Sequence, residues 1–314
     1  MSDSLYHDTP SIPAPLPQRR GRQGPSVLKE VRKHRSFASL RTIGALVLRE
    51  MQTSHGRASG GYLWAIAEPV GGIVLLTLIF SVGFRSPPIG TNFAIFYATG
   101  VVPFMAYLDM SNKVANSIRY SKPLLAYPAV TFTDALLGRV LFNTVTHTIV
   151  TALIFTGLCW MVETRTDPQL DQIALGMAMA LLLATAVGAM NCFLFEAFAW
   201  WQQAWGILMR PLFLVSCIFF IFDNVPQPYN DWLWWNPLVH VVGQMRHAFY
   251  PSYAGDYISY AYVFGLSLVL LVLALTFLGR YGRPAAGLQN ACARLSCRES
   301  AGGHDRSKAF HGLR

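Results

Sequence analysis

Long apolar segments constrain this chain more than any other feature of its sequence. Hydrophobic residues make up 53% of its 314 residues and charged residues only 13%, about half the charged share of a typical soluble domain. That many apolar side chains cannot all be buried in one soluble core of this size. Six segments are candidates to cross the hydrocarbon layer of a bilayer, and they are residues 62–84, 93–115, 140–162, 173–199, 211–222 and 257–279.

This pattern predicts an all-α, polytopic membrane protein with six transmembrane helices. The third helix is expected to begin earlier, near Thr133, and the fifth is so short that it needs residues 205–209 to span. Residues 223–256 form a long outer connection that holds Trp232, Trp234 and Trp235. It is too polar and too broken to cross, so we expect short re-entrant helices anchored by interfacial tryptophans.

The regions outside the six-span domain, residues 61–280, have compositions of their own. Residues 1–25 are rich in proline and arginine and predict a disordered tail. Residues 26–60 predict a basic amphipathic helix, which lies on the membrane surface or packs against the protein's own cytoplasmic side. Residues 281–314 form a basic tail.

The placement of the basic residues predicts the orientation. With the N-terminus inside, 22 of the 25 lysines and arginines lie on the cytoplasmic side. That bias predicts an even number of spans with both termini in the cytoplasm. The same placement argues against nucleic acid as a partner, because no stacking aromatics alternate with these charges.

The connection at residues 118–132 differs from an ordinary loop. It contains Pro123, Pro128 and an apolar centre at Leu124 and Leu125. A short helix that offers this patch to a soluble partner would explain exposed leucines in a cytoplasmic loop. The alternative is a tight loop folded onto the membrane subunit itself.

Catalytic chemistry finds little support in the sequence. The chain has no Gly-Lys dipeptide and hence no phosphate-binding P-loop, and it has no cysteine or histidine cluster with metal-ligand spacing. His240 and His247 are expected to bond to the backbone. We therefore predict no catalytic residue, no metal site and no cofactor in this chain.

Ionisable residues within apolar segments are costly and need partners. Asp109 and Lys113 are four residues apart and predict an ion pair on one helix face. Arg139 is expected to extend toward water from the inner end of the third span. Glu68 could have a functional role or a structural one at interface depth.

Three aromatic residues form a candidate site for contact with sugars. Tyr97, Phe104 and Tyr107 share one face of the second span. Facing a channel, they could stack on sugar rings, whereas packing against neighbouring helices or lipid is the alternative.

Three motifs, in order along the chain, resemble the ABC-2 type permeases, and in particular the membrane subunit of capsular polysaccharide exporters of Gram-negative bacteria. They are REMQTSHGRASGGYLWAIAEP (49–69), LLAYPAVTFTDALLGR (124–139) and RPLFLVSCIFF (210–220), the last leading to WNPLVHVVGQMRHAFYP (235–251). The chain departs from the family pattern at Ser54-His55 and at Gln244, where a glutamate is expected.

The resemblance implies roles for particular residues. The entrance region would comprise Arg49, Glu50, Tyr62, Trp64, Glu68 and Pro69, and the channel aromatics would be Tyr97, Phe104 and Tyr107. Coupling to the ATPase would involve Lys122, Leu124, Leu125, Tyr127 and Pro128. The periplasmic gate would include Trp235, Asn236 and Arg246, with Arg246 touching a polyanion or positioning its own helices.

The resemblance also implies the assembly. Two copies would form a channel in the bacterial inner membrane, each docked to a separate ATPase subunit that holds ATP and Mg²⁺. A lipid-linked acidic polysaccharide would pass outward to a periplasmic adaptor and an outer-membrane export protein. The alternatives are an exporter of O-antigen or teichoic acid, an ABC-2 drug exporter, and a membrane-embedded glycan or lipid transferase.

Overall fold

The computed structural model describes residues 38–55, 61–84, 86–125, 132–161 and 168–280, and this part of the chain is helical, without strands. The expected all-α fold is confirmed there. The helices are α1 (Ala38–His55), α2 (Gly61–Gly83), α3 (Phe93–Ala115), α4 (Ser117–Leu125), α5 (Phe132–Met161), α6 (Leu170–Ala197), α7 (Trp201–Val215), α8 (Tyr229–Trp234), α9 (Pro237–Phe249) and α10 (Tyr260–Arg280). A short 3₁₀ helix, Phe222–Asn224, precedes α8.

Five of these helices, α2, α3, α5, α6 and α10, are long and apolar enough to cross a membrane. Each matches a predicted span to within a few residues, and α5 begins at Phe132, as the early start near Thr133 predicted. Predominantly apolar segments of this length favour helices, because in lipid each backbone group must bond within its own segment.

The predicted fifth span, residues 211–222, is not a continuous helix, so the count of six is not confirmed. Helix α7 has 15 residues, which gives a length of about 22 Å, less than the ~30 Å of a hydrocarbon core. It ends at Val215, and two residues later Cys217 has a φ of 57°, which a right-handed helix does not accommodate. Beyond this break, Arg246 binds the carbonyl oxygens of Ile218 and Phe220.

Helix α3 lies at the centre of the bundle. It packs against α2, α5, α6 and α9. Of an apolar stretch of 18 residues in α3, 72% is buried. The corresponding buried fractions are 11% for α2 and 22% for α10. The surfaces of α2 and α10 therefore face lipid or another chain.

The contact between α3 and α6 depends on Gly188. A Cβ atom at this position would lie 2.8 Å from both the carbonyl oxygen of Ser111 and the Cβ of Val114. We expect Gly188→Val to force the two helices apart, at a cost of about 1–3 kcal/mol or more in the free energy of unfolding. Membrane abundance and the melting temperature in detergent would measure this loss. In the control Gly265→Val, the new Cβ has nothing within 4 Å, and equal melting of both variants would contradict the prediction.

Helix α1 covers part of the predicted amphipathic segment and packs mainly on α5. The missing side chain of Gly138 permits this contact, since a Cβ there would lie 3.1 Å from the Cβ of Leu46. Leu48 and Met51 are exposed on the helix. Helix α1 therefore packs on the protein itself and leaves these two apolar side chains exposed, and its position on the membrane surface stays a prediction. Residues 26–37 and 56–60 and both predicted tails lie outside the described residues.

The connection at residues 223–256, which the sequence predicts on the outer side, contains short helices as expected. Helix α9 begins at Asn236, whose side chain accepts a hydrogen bond from the backbone N–H of Leu238, and Pro237 occupies the first turn. Almost every residue of α9 is buried, mainly against α6 and α3. Trp232 and Trp235, by contrast, are 78% and 68% exposed. Re-entry of this segment into the bilayer stays a prediction.

Candidate functional site

Arg139 connects four helices at the end of the bundle where α3 finishes and α5 begins. Its guanidinium lies 3.0 Å from a carboxylate oxygen of Glu50 on α1 and donates to the carbonyl oxygen of Lys113 on α3 at 3.0 Å. It also lies 4.8 Å from the ring centre of Tyr120 on α4. Arg139 is only 9% exposed, so the expectation that it extends into water is wrong. The fixed fork of the guanidinium allows it to serve several acceptors at once.

Arg119 makes the corresponding connection on the other side of α4. It donates to the carbonyl oxygen of Phe195 at 3.0 Å and lies 3.5 Å from the Glu196 carboxylate, both near the end of α6. It also donates to the side-chain oxygen of Gln202 in α7. Two arginines therefore link α4 to α5, α6 and α7, and a displacement of α4 would act on all three helices.

The residues predicted to couple to the ATPase fall on or beside α4. Lys122, Leu124 and Leu125 belong to its last turn, although their side chains lie outside the described part of the chain. Tyr127 and Pro128 lie wholly outside it. Their contacts with an ATPase stay predictions.

The predicted entrance region is divided between two places. Glu50 pairs with Arg139, and the neighbouring Arg49 is half-buried on α1. Trp64, Glu68 and the buried Pro69 line a cavity of about 270 Å³ between α2, α3 and α5. Trp64 is 71% exposed and Glu68 is also exposed. The Tyr62 side chain lies outside the described residues.

A polar cluster lines the same cavity. The Lys113 ammonium lies 2.6 Å from the Asp109 carboxylate, which confirms the predicted ion pair. The Nε2 of His147, on α5, lies 3.0 Å from the same carboxylate oxygen. The cavity therefore brings together the Asp109 carboxylate, the Lys113 ammonium and the His147 imidazole, and Glu68 contributes a second carboxylate.

The three predicted channel aromatics lie inside the chain. Tyr97, Phe104 and Tyr107 are 1%, 2% and 3% exposed. Tyr97 stacks on Phe93, and Phe104 meets Phe213 edge to face. This arrangement favours the packing alternative that the sequence left open, and a channel-lining role stays a prediction.

Arg246, predicted at the outer gate, is completely buried. It donates to the carbonyl oxygen of Phe220 at 2.7 Å and of Ile218 at 2.9 Å, and its guanidinium lies 4.4 Å from the ring centre of Phe96. It thereby joins α9, the break after α7 and α3. This geometry supports the positioning role rather than contact with a polyanion.

Nearby polar side chains hold the same region in place. Asn236 donates to the carbonyl oxygen of Val215, the last residue of α7, at 3.2 Å. Burial raises the pKa of Tyr253 to about 12, so its hydroxyl stays protonated and donates to the Tyr257 hydroxyl at 3.0 Å. The exposed Trp235 accepts a hydrogen bond from the Tyr262 hydroxyl at its carbonyl oxygen.

Gln244, where the family pattern led us to expect glutamate, bridges three helices. Its amide nitrogen donates to the side-chain oxygen of Gln172 on α6, and its oxygen accepts from the Tyr260 hydroxyl on α10, both at 2.8 Å. An ionised glutamate could accept from Tyr260 but could not donate to Gln172. An amide therefore fits this buried position.

The histidines behave as the sequence predicted. His240 Nε2 lies 2.9 Å from the carbonyl oxygen of Trp234, and His247 Nδ1 lies 2.7 Å from that of Tyr253. No group of three or more potential metal ligands occurs in the described part of the chain. Cys159, Cys192 and Cys217 are free thiols.

The sequence did not reveal the roles of Arg119, Tyr120 and His147. Arg119 and Arg139 were recognisable as charges on the predicted cytoplasmic side, but their acidic partners are distant along the chain. Arg139 and Glu50 are 89 residues apart, so spacing gave no signal. His147 could have been noted as an ionisable residue within an apolar segment.

Comparison with known proteins defines the class of this membrane protein. The ABC-2 type transporter family matches residues 41–250, about two thirds of the chain. The chain therefore belongs to the ABC-2 type transporter family, as its motifs predicted.

Its relatives narrow the class further. The polysialic acid transport protein KpsM of Escherichia coli is 32% identical over 235 residues, which cover 74% of this chain and 91% of the relative. The capsule polysaccharide export inner-membrane protein CtrC of Neisseria meningitidis serogroup A is 27% identical, covering 82% and 98%. BexB of Haemophilus influenzae, which has the same description, is 25% identical, covering 77% and 92%.

Proposed function

We propose that this chain is the membrane subunit of an ATP-driven exporter that moves capsular polysaccharide across the bacterial inner membrane. The observation that carries the proposal is its similarity to a polysialic acid transport protein and to two capsule polysaccharide export proteins, over at least 91% of each relative's length. Their names support a capsular glycan over the alternatives of O-antigen, teichoic acid or a drug. In this proposal the substrate is an acidic, lipid-linked polysaccharide.

The energy for transport comes from a separate ATPase subunit that binds ATP and Mg²⁺. The absence of any Gly-Lys dipeptide from this sequence supports that division, because a P-loop requires one. The present chain is then a permease without enzymatic activity of its own.

A second copy of the chain completes the passage. Helix α2 supports this step because only 11% of its apolar 18-residue stretch is buried within one chain. Several large side chains on α2 and α7, including Leu78 and Ile207, are more than half exposed. Exposed apolar side chains of this kind suit contact with another subunit or with lipid.

The cytoplasmic arginines provide a route for ATP-driven movement. The ATPase docks at the end of α4 and the following loop, and α4 moves with it. Arg139 passes the movement to α1, α3 and α5, and Arg119 passes it to α6 and α7. Rigid contacts that join several helices are suited to this task because packed helices move as units.

The glycan enters near Trp64 and Glu68 and leaves past α8 and α9. The exposed Trp232 and Trp235 lie on the exit side, where a periplasmic adaptor and an outer-membrane protein receive the polymer. Both termini are cytoplasmic in this arrangement, as the distribution of basic residues indicates.

A host strain from which the gene for this chain has been deleted tests the proposed function. Surface and intracellular polysaccharide would be separated by fractionation and quantified. Loss from the surface with accumulation inside is the expected result. Absence from both fractions would favour the transferase alternative, and an unchanged surface would exclude capsule export.

The exposed side chains of the entrance region should matter for transport more than for folding. We expect Trp64→Ala and Glu68→Ala to lower surface polysaccharide severalfold at unchanged membrane abundance, because neither side chain belongs to the core. Quantitative immunoblotting alongside the capsule assay would measure both quantities. Trp160→Ala is a matched control, since Trp160 is 90% exposed on α5 and does not line the cavity. A parallel fall in abundance and export would assign Trp64 and Glu68 a structural role.

The end of α4 should be required for coupling. We expect Leu124→Asp to reduce export about tenfold or more, because a charge in an apolar docking contact carries a large desolvation cost. Co-purification of the ATPase with the tagged chain would report docking directly. Leu124→Met keeps an apolar side chain and should retain both docking and export. Normal docking and export in Leu124→Asp would rule out this contact.

A further inference from the structure

The boundary between α2 and α5 contains two cavities that follow one another along the helices. The first includes Trp64 and Glu68 of α2 with His147 of α5, and the second lies farther along both helices, reaching Leu78 and Met161. We propose that this α2–α5 groove binds one zwitterionic aminophospholipid of the surrounding bilayer, with its headgroup in the first cavity and an acyl chain in the second.

The second cavity suits an acyl chain. Its volume is about 300 Å³, and its lining is almost entirely apolar, with Val70, Ile73, Leu153 and Leu158 among its residues. Gly157 also lines it, and a Cβ atom added there would meet nothing within 4 Å. Open apolar space of this kind, next to an exposed helix such as α2, is stabilised when hydrocarbon fills it.

The first cavity suits a headgroup that carries both charges. Lys113 and His147 can donate hydrogen bonds to a phosphate. Glu68 can pair with an ammonium group, and no described residue forms an ion pair with it. The indole of Trp64 lies in the same lining and attracts cations through its ring face.

The net charge of the first cavity selects among lipids. Glu68 and Asp109 are acidic and Lys113 is basic, so the lining has a net charge of −1 when His147 is neutral. A lipid whose headgroup carries only the negative phosphate charge would be repelled by this net negative charge. An aminophospholipid brings its own cation, and the groove would bind it whatever polymer the exporter carries.

The first test compares lipids on the unaltered protein. The full-length chain, purified in detergent and stripped of bound lipid, would be titrated with dioleoyl phosphatidylethanolamine or dioleoyl phosphatidylglycerol and observed by native mass spectrometry. We expect one phosphatidylethanolamine per chain to bind more tightly than any further lipid, and at least about threefold more tightly than phosphatidylglycerol. Equal binding of phosphatidylethanolamine and phosphatidylglycerol, or several equivalent bound lipids per chain, would overturn the proposal in favour of non-specific surface lipid.

The second test fills the groove. Gly157→Leu would occupy the acyl-chain cavity and should weaken phosphatidylethanolamine binding about tenfold. Gly71→Leu on α2 is the matched control, because its added Cβ also meets nothing within 4 Å and Gly71 does not line either cavity. Both substitutions replace glycine by leucine within a helix, so their effects on helix propensity are similar. Equal binding by both variants would overturn the proposal, and the lipid comparison on the unaltered protein decides it if Gly157→Leu does not fold.

Discussion

Replacement of Arg246 by methionine is expected to disorganise the segment between α7 and α9 and to abolish export. Methionine retains apolar volume but has no donor for the carbonyl oxygens of Ile218 and Phe220. Each buried carbonyl that loses its partner costs about 1–3 kcal/mol, and the contact with Phe96 contributes about 2 kcal/mol when desolvated. Removing a buried charge offsets part of this cost. We expect the free energy of unfolding to fall by about 3 kcal/mol, measured as a lower melting temperature in detergent.

Arg246→Lys separates the charge of Arg246 from its geometry. Lysine retains the charge, but its single ammonium cannot reproduce the fixed fork that reaches both carbonyl oxygens. Its melting temperature should therefore lie between those of the unaltered chain and Arg246→Met. Arg210→Met, at an exposed position on α7, is the control and should melt normally. Normal melting and export in Arg246→Met would show that the break after α7 does not depend on this side chain.

Replacement of Arg139 by glutamine is the second change with a large expected effect. It removes the ion pair with Glu50, weakens the link to the carbonyl oxygen of Lys113 and ends the cation–π contact with Tyr120. Breaking a fully buried ion pair costs about 3–5 kcal/mol, and we expect about 2–3 kcal/mol here because Glu50 is 18% exposed. Export should fall about tenfold or more, since α4 would no longer be joined to α1 and α5.

A double-mutant cycle with Glu50→Gln isolates the pair. If the ion pair carries the effect, the double variant should export about as much as the single variant that exports less. The two losses of export should then not add. Surface polysaccharide per unit of membrane protein is the appropriate measure. Arg210→Gln provides the exposed control. Losses that add fully would mean that Glu50 and Arg139 act independently, and that α1 is not joined to α5 through them.

Local features of the sequence predicted much of this structure. Five membrane helices followed from apolar length alone, and the Asp109–Lys113 pair followed from a spacing of four residues. In each case, the interacting groups are close along the chain, so the physical rule can be applied without knowing the fold.

Features that depend on distant residues could not be predicted in the same way. The predicted fifth span, residues 211–222, is apolar enough to continue as a helix. It ends early because Cys217 has a left-handed conformation and because Arg246 donates hydrogen bonds to the carbonyl oxygens of Ile218 and Phe220. Arg139 was predicted to reach water because its partner on α1 could not be identified from sequence. The spacing of Tyr97, Phe104 and Tyr107 predicted one helix face, but only the packed bundle shows that the three side chains are buried.

Transport by membrane vesicles tests the proposed export function most directly. Inverted inner-membrane vesicles from cells that produce or lack this chain would be mixed with the lipid-linked polymer, with and without ATP. Polymer that becomes resistant to an added glycan-degrading enzyme would be measured, because resistance reports entry into the vesicle. We expect ATP-dependent protection only in vesicles that contain the chain. Equal protection without the chain, or protection that does not require ATP, would contradict its role as the membrane subunit of an ATP-driven polysaccharide exporter.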